Sequence, residues 1–226
     1  MKAIALLTDF GLADHYAGVV HAVLERDAPG GPRLDLTHDV APGDVWGACF
    51  RLRCAWPFLP SDAIVLAVVD PGVGTRRRAV AVRLGARWLV APDNGLAATV
   101  GTPDEAIVVD TAVMGLPEPS PTFHGRDLFA PAAARLARRD EPGAVGRPVD
   151  RRTLTPCPLP RPERTDVGWH GVVLHVDRFG NVVTNLEAAD VPVGAELRAG
   201  DAAFSRRVRT YGEAPTAEVV LLQGSS

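Results

Sequence analysis

An apolar run that ends on a carboxylate and a glycine-rich turn constrains this chain more than any other feature. Ala63 to Val69 (AIVLAVV) leads directly into Asp70-Pro71-Gly72-Val73-Gly74-Thr75-Arg76-Arg77. With no polar alternation, the run predicts a strand buried on both faces of a parallel or mixed sheet. Asp70 is then the first residue past that strand. Ligands of open α/β sheets lie outside the carboxyl ends of the strands, so this carboxylate is aimed where a substrate would sit. Taken alone, Asp-Pro-Gly is also ordinary turn chemistry.

The pattern recurs at the start of the chain. Ala3 to Leu7 predicts a second apolar strand, followed by Thr8-Asp9-Phe10-Gly11 and then by Tyr16, Val19, Val20, Val23 and Leu24 at helical spacing. Asp14 suits the N-cap of that helix. Asp9 has no helix to cap, and a carboxylate in a loop after a strand can accept two hydrogen bonds from the vicinal diol of a ribose. Pro92-Asp93-Asn94-Gly95, after a strand from Trp88 to Ala91, and Thr122-Phe123-His124-Gly125-Arg126-Asp127 are further polar turns. Turns of this kind at successive strand ends point to one cleft rather than to unrelated loops.

At 226 residues and 46% apolar content, the chain can build one good core and a small second domain. A net charge of −3 gives no electrostatic case for nucleic acid or an anionic membrane as partner. Cys49, Cys54 and Cys157 make neither a metal spacing nor a disulfide framework, which fits a reducing compartment. No stretch reaches the roughly 18 apolar residues of a membrane span, and the run after Met1-Lys2 is too short for a signal peptide. The expectation is a cytoplasmic protein acting on a small molecule. Prolines 142, 148, 156, 158, 160 and 162 keep a long helix out of Glu141 to Asp166. They predict an N-terminal domain over 1–150, a linker over 151–165 and a C-terminal domain over 166–226. In the last, Gly171 to Val176 and Asn181 to Leu186 predict strands around Asp177-Arg178-Phe179-Gly180-Asn181, in a small β-rich unit that continues to Leu222.

Thr8-Asp9-Phe10-Gly11, Asp70-Pro71-Gly72-Val73-Gly74 with Arg77, Pro92-Asp93-Asn94-Gly95, Phe123-His124-Gly125-Arg126-Asp127, and Asp177 to Asn181 with Thr184-Asn185 occur in that order. Together they resemble the S-adenosyl-L-methionine hydroxide adenosyltransferases, a family related to the fluorinating enzyme. The resemblance implies an α/β fold: an N-terminal α/β domain with a central mixed sheet plus a small C-terminal β-barrel-like domain. It implies hydrolysis of S-adenosyl-L-methionine to adenosine and L-methionine by attack of water at C5′, with no cofactor and no metal. By resemblance Asp70, Arg77 and His124 form the triad that holds the nucleophilic water, and Asp9 binds the ribose hydroxyls. Asp14 and Tyr16 flank the methionyl part, Asp177 pairs with the substrate ammonium, Asn181 contacts adenine and Ser225 meets the methionyl carboxylate. The family also implies a homotrimer whose active sites lie between the N-terminal domain of one subunit and the C-terminal domain of the next. Its members typically continue past the position of Ser226 with a segment that adds adenine contacts and a barrel strand.

Alternative chemistries leave different residues. Where halide-using relatives carry Tyr, Thr and Tyr, this chain has Asp70, Val73 and His124, and Gly125 stands in place of a fluoride-contacting Ser. A carboxylate repels a halide and assists a water. A metal-dependent nucleoside-type hydrolase would use Asp9, Asp14, Asp93 and His124 as an oxygen-rich ligand set. A non-catalytic protein that binds S-adenosylmethionine or adenosine would not need Asp70, Arg77 and His124 together.

Overall fold

Two-residue alternation along wholly buried strands sets the layers of the fold. The computed structural model describes residues 1–192, 194–215 and 218–224. The chain divides into two compact units, Met1–Leu159 and Pro160–Ser226. The first opens with β1 (Ile4–Thr8), α1 (Tyr16–Asp27), β2 (Arg33–Thr37), α2 (Val45–Ala55) and β3 (Ile64–Val68), and β1 and β3 are buried along their full length. Ile4, Leu6, Ile64 and Leu66 point into a core shared with Val20, Val23 and Leu24 of α1. Ala5, Leu7, Val65 and Ala67 point the other way, into a core with Ala48, Cys49 and Leu52 of α2. Helices therefore cover both faces of the sheet, the arrangement that lets strands without polar alternation escape water.

The remaining elements of this unit are β4 (Ala79–Leu84), β5 (Arg87–Pro92), β6 (Glu105–Val109), α3 (Ala130–Ala137) and β7 (Gly146–Pro148). Strand order is β2-β1-β3-β5-β4-β6-β7 in one mixed sheet. Parallel pairing joins β1 to β2 and β3, and β3 to β5, while β4 and β6 run antiparallel to their neighbours. The chain leaves β1 for β2 on one side and returns to β3 on the other. This reversal opens a crevice at the carboxyl ends of β1 and β3, where Asp9 and Asp70 stand.

Two expectations change. The helix after β1 starts one residue past the position that would make Asp14 its cap: His15 is the N-cap, with no side-chain capping bond, and its carbonyl accepts from Val19 N–H at 2.8 Å. Asp14 lies outside the helix and is exposed. Residues 151–159, read as linker, are tied to the first unit. Thr155 N–H donates to Asp93 Oδ1 at 2.8 Å, Arg78 Nη1 donates to Thr153 Oγ1 at 2.9 Å, and Leu154, Cys157 and Leu159 pack on the α2-side core. Proline forbids a helix there but leaves an extended chain free to bury its apolar side chains.

The second unit contains β8 (Glu163–Thr165), β9 (Gly168–His170), β10 (Val173–Val176), β11 (Val182–Thr184), β12 (Leu197–Ala199), β13 (Ala202–Phe204), β14 (Arg207–Val208) and β15 (Leu221–Leu222), paired successively as two-stranded sheets. Among its described residues Val208, 9% exposed, is the one buried apolar side chain. No helix among the described residues is long and apolar enough to cross a membrane.

Candidate active site

The turn after β3 is shaped by close backbone packing. Gly74 has φ +76°, and a Cβ there would stand 2.5 Å from the Pro121 carbonyl oxygen, so only glycine lets this turn press against the segment leading to His124. Asn94 Nδ2 donates to the Val69 carbonyl at 2.9 Å and fixes the end of β3 beside Asp70. Arg77, returning across the turn, donates from Nε to both Asp70 carboxylate oxygens at 2.9 Å, and its Nη2 also donates to Asp70 Oδ2. The same Nη2 lies 2.7 Å from His124 Nδ1. Phe129 supports the guanidinium from its ring face, 5.1 Å from centroid to Cζ. His124 sits at the start of a single π turn, Gly125–Phe129, that runs into α3; such turns displace a side chain out of helical register toward a site.

Arginine has donors only, so His124 Nδ1 is the acceptor and the proton of the neutral ring is on Nε2. Desolvation, with Arg77 adding to it, pushes the His124 pKa below its ordinary 6.5. At neutral pH the imidazole is therefore an uncharged Nε2–H donor. The Asp70 and Arg77 side chains are only 6% and 12% exposed, which makes the pair a buried one.

Asp70 and His124 line a cavity of about 70 Å³ together with Asp9, Phe10, Val73 and Phe123. It has room for a few waters, the size of a nucleophile. Phe10 closes one wall, and Gly125 leaves space for it: a Cβ at Gly125 would meet Phe10 Cζ at 2.9 Å. Tyr16 stands beside this wall, its ring centroid 5.3 Å from that of Phe123 and 6.4 Å from that of Phe10.

Asp9 Oδ2 accepts from Gly43 N–H at 2.8 Å. Burial raises the Asp9 pKa above its ordinary 3.8, with the nearby Asp70 carboxylate a smaller contribution of the same sign. A raised native pKa means that the favourable contribution of the neutral form is present below pH 3.8 and is lost as pH rises through the native value. Asp9→Asn, whose amide oxygen can still accept from Gly43, is therefore expected to raise Tm at pH 7 and to converge on the wild type near pH 4, while substrate KM rises. Thermal melts at the two pH values measure this, and a Tm at pH 7 no higher than that of the wild type contradicts it.

Asp177 and Asn181 come together in the second unit. Asp177 Oδ1 accepts from the backbone N–H of Phe179 and of Asn181 at 2.8 Å each, and its Oδ2 accepts from Asn181 Nδ2 at 2.6 Å. The Asn181 side-chain bond is the main cause of a lowered Asp177 pKa. Ser225 lies outside the described residues. Asp93 is buried and committed to the Arg78 guanidinium (Nε, 2.8 Å) and Thr155 N–H. The alternative ligand set Asp9, Asp14, Asp93 and His124 is not assembled; among the described residues only His21, Asp35 and His38 bring three potential metal ligands together. Cys49 is free and buried, and desolvation pushes its thiol up to about 12, far from a thiolate nucleophile. The sequence motifs include Asn94 and Phe10 but give them no role, and they leave out Phe129; each acts through packing or backbone contact rather than through chemistry of its own.

The N-terminal domain profile of the SAM hydroxide adenosyltransferases matches residues 4–146, and the C-terminal domain profile matches residues 171–226. A Thermus thermophilus protein named (R)-S-adenosyl-L-methionine hydrolase is 44% identical over all of this chain and 89% of its own length. A protein named fluorinase, from an Actinoplanes species, is 28% identical over 83% of this chain and 72% of its own length. The crystal structure of an uncharacterized conserved protein from Thermotoga maritima superposes with a TM-score of 0.88 at 32% identity, covering 98% of this chain and 89% of that one. With profiles matching both halves in order and a relative of this identity along the whole chain, the protein belongs to the SAM hydroxide adenosyltransferase family.

Proposed function

We propose that the protein hydrolyses S-adenosyl-L-methionine to adenosine and L-methionine, with Asp70, Arg77 and His124 organising the attacking water. The observation that carries this reading is the buried carboxylate–guanidinium–imidazole chain whose two ends, Asp70 and His124, line a small cavity at the β1/β3 crevice. The sulfonium is already an excellent leaving group and departs as a neutral thioether, so no acid is needed. The nucleophile is the difficulty. Free hydroxide at pH 7 costs about 12 kcal/mol, from a water pKa of 15.7 at about 1.36 kcal/mol per unit. A positioned base supplies only about 10²- to 10⁴-fold, so in-line positioning and fixed electrostatics must supply the rest.

The tautomer of His124 divides these tasks. Its Nδ1 lone pair is occupied by Arg77, which leaves Asp70 as the proton acceptor and the His124 Nε2–H as a donor to the oxygen as it becomes hydroxide-like. The water oxygen forms its bond to C5′, the C5′–S bond breaks with its pair going to sulfur, and the released proton passes through Asp70 to solvent. Asp9 in this reading holds the ribose diol, and Asp14 and Tyr16 lie toward the methionyl part.

Protonating His124 would put an N–H where Arg77 now donates. The acid limb of kcat/KM is therefore expected to have a midpoint below 6.5 in the wild type and to shift in His124→Ala, where Asp70 alone remains to be protonated. A limb that persists unchanged in that variant contradicts the assignment.

The Thermus thermophilus relative is named for the R configuration at sulfur. We take the same epimer as this chain's preferred substrate. Resolved epimers incubated with EDTA-treated protein, with products separated by chromatography, test the whole reading. Adenosine and methionine formed mainly from the R epimer are expected; turnover that needs an added divalent ion, or adenine as product, overturns it.

The proposed active form is a cytoplasmic homotrimer in which Asp177 and Asn181 of one subunit complete the site around Asp70 of another, with residues 1–150 carrying the water-activating triad and 166–226 closing as a small barrel. Support comes from the exposed apolar side chains of the second unit, Val167 at 98% and Phe179 at 88%, which a monomer leaves in water. A sedimentation mass of one chain for fully active protein contradicts the trimer.

A further inference from the structure

We propose that His21, Asp35 and His38 form a divalent transition-metal site suited to Zn²⁺, separate from the water-activating triad. The crossover from β1 through α1 to β2 brings these side chains together from a helix, an edge strand and the residue after it. His21 Nε2 lies 2.9 Å from Asp35 Oδ1, His38 Nε2 lies 3.3 Å from the same oxygen, and the three ligand atoms all fall within 4.8 Å of one another. Zinc bonds of 2.0 to 2.1 Å in a tetrahedron place ligand atoms about 3.3 Å apart, so small side-chain adjustments admit the ion. Two imidazoles and one carboxylate are a donor set that zinc accepts, with water filling the fourth position.

The second observation is the state of His38. Its side chain is only 3% exposed, and Nε2 is a buried polar atom with no hydrogen-bond partner, although it is aimed at Asp35. The opposite nitrogen, Nδ1, lies 2.8 Å from Thr8 Oγ1, which also accepts from Phe10 N–H at 3.3 Å. In the tautomer that carries its proton on Nδ1 and donates it to Thr8 Oγ1, the Nε2 lone pair faces a carboxylate oxygen, two acceptors across 3.3 Å. A cation between them relieves that opposition, and a histidine whose far nitrogen is held by a second partner is the usual form of a metal-bound imidazole. Such orphaned buried atoms in native proteins are few and call for a physical cause.

The site would act on the fold. It would pin α1 to the edge strand β2 and, through His38, hold Thr8 at the end of β1. The His38 carbonyl already accepts from Gly11 N–H at 2.8 Å, so the loop carrying Asp9 is anchored on both sides to the residue that the metal fixes.

The test uses the full chain, stripped with EDTA, dialysed and titrated with ZnCl₂ by calorimetry, with bound metal counted by elemental analysis. One zinc per chain is expected, together with a Tm about 5 to 10 °C higher at a free zinc concentration near one hundred times Kd. His21 is 30% exposed, so His21→Ala is expected to fold with an unchanged metal-free Tm and to weaken zinc binding at least tenfold. Asp35→Asn, which keeps the shape of the side chain, is expected to do the same. Failure of the wild type to bind zinc overturns the proposal. So does equal affinity in both variants, which would move the ion to another donor such as a cysteine thiol.

Discussion

Asp70→Asn is expected to lower kcat by about 10²- to 10⁴-fold with little change in KM, because the carboxylate addresses a nucleophile that acquires charge only toward the transition state. The substitution keeps the side-chain shape and one acceptor for Arg77 while removing the proton acceptor. His124→Ala loses the donor to the same oxygen. Since both act on one water through one guanidinium, the double variant Asp70→Asn with His124→Ala is expected to be scarcely slower than the poorer single variant. Steady-state kinetics on the four proteins decides this, and full multiplication of the two losses would mean that the residues work independently.

Arg77→Ala is expected to cost stability as well as rate. Removing one member of a buried ion pair leaves an uncompensated charge and typically costs about 3 to 5 kcal/mol. Here the loss also uncovers His124 Nδ1 and the face of Phe129. Adding Asp70→Ala to Arg77→Ala is expected to restore much of the stability, since no buried charge then remains, while leaving the protein inactive. Chemical denaturation of Arg77→Ala, Asp70→Ala and the double variant measures it. If the double variant is as unstable as the sum of both single ones, the pair owes its stability to packing rather than to charge.

Local patterns in the sequence identify what is local in the structure. The apolar runs before Asp9 and Asp70 are strands buried on both faces because each alternates its side chains between two separate cores. Asp70, Arg77 and His124 are in hydrogen-bond contact, although seven residues separate the first two and forty-seven the last two. What was not legible depends on partners remote in sequence. Asp14 lost its capping role because one residue of offset decides where a helix starts, and His15 could take that place through its backbone alone. Residues 151–159 looked like linker because proline rules out a helix without saying whether the extended chain packs. Their attachment rests on Asp93 and Arg78, some sixty to seventy-five residues earlier. His21 and Asp35 are fourteen residues apart, outside any metal spacing, and only the β1-α1-β2 crossover brings them together.

Hydrolysis in water enriched in ¹⁸O tests the central claim most directly, because the account fixes which bond the water forms. S-adenosyl-L-methionine is incubated with the protein in labelled water, and adenosine and methionine are analysed by mass spectrometry with fragmentation of the ribose. The account predicts one ¹⁸O in the 5′-hydroxyl of adenosine and none introduced at the sulfur side of methionine. Adenosine without label at C5′, or adenine or S-adenosylhomocysteine as the main product, would contradict it.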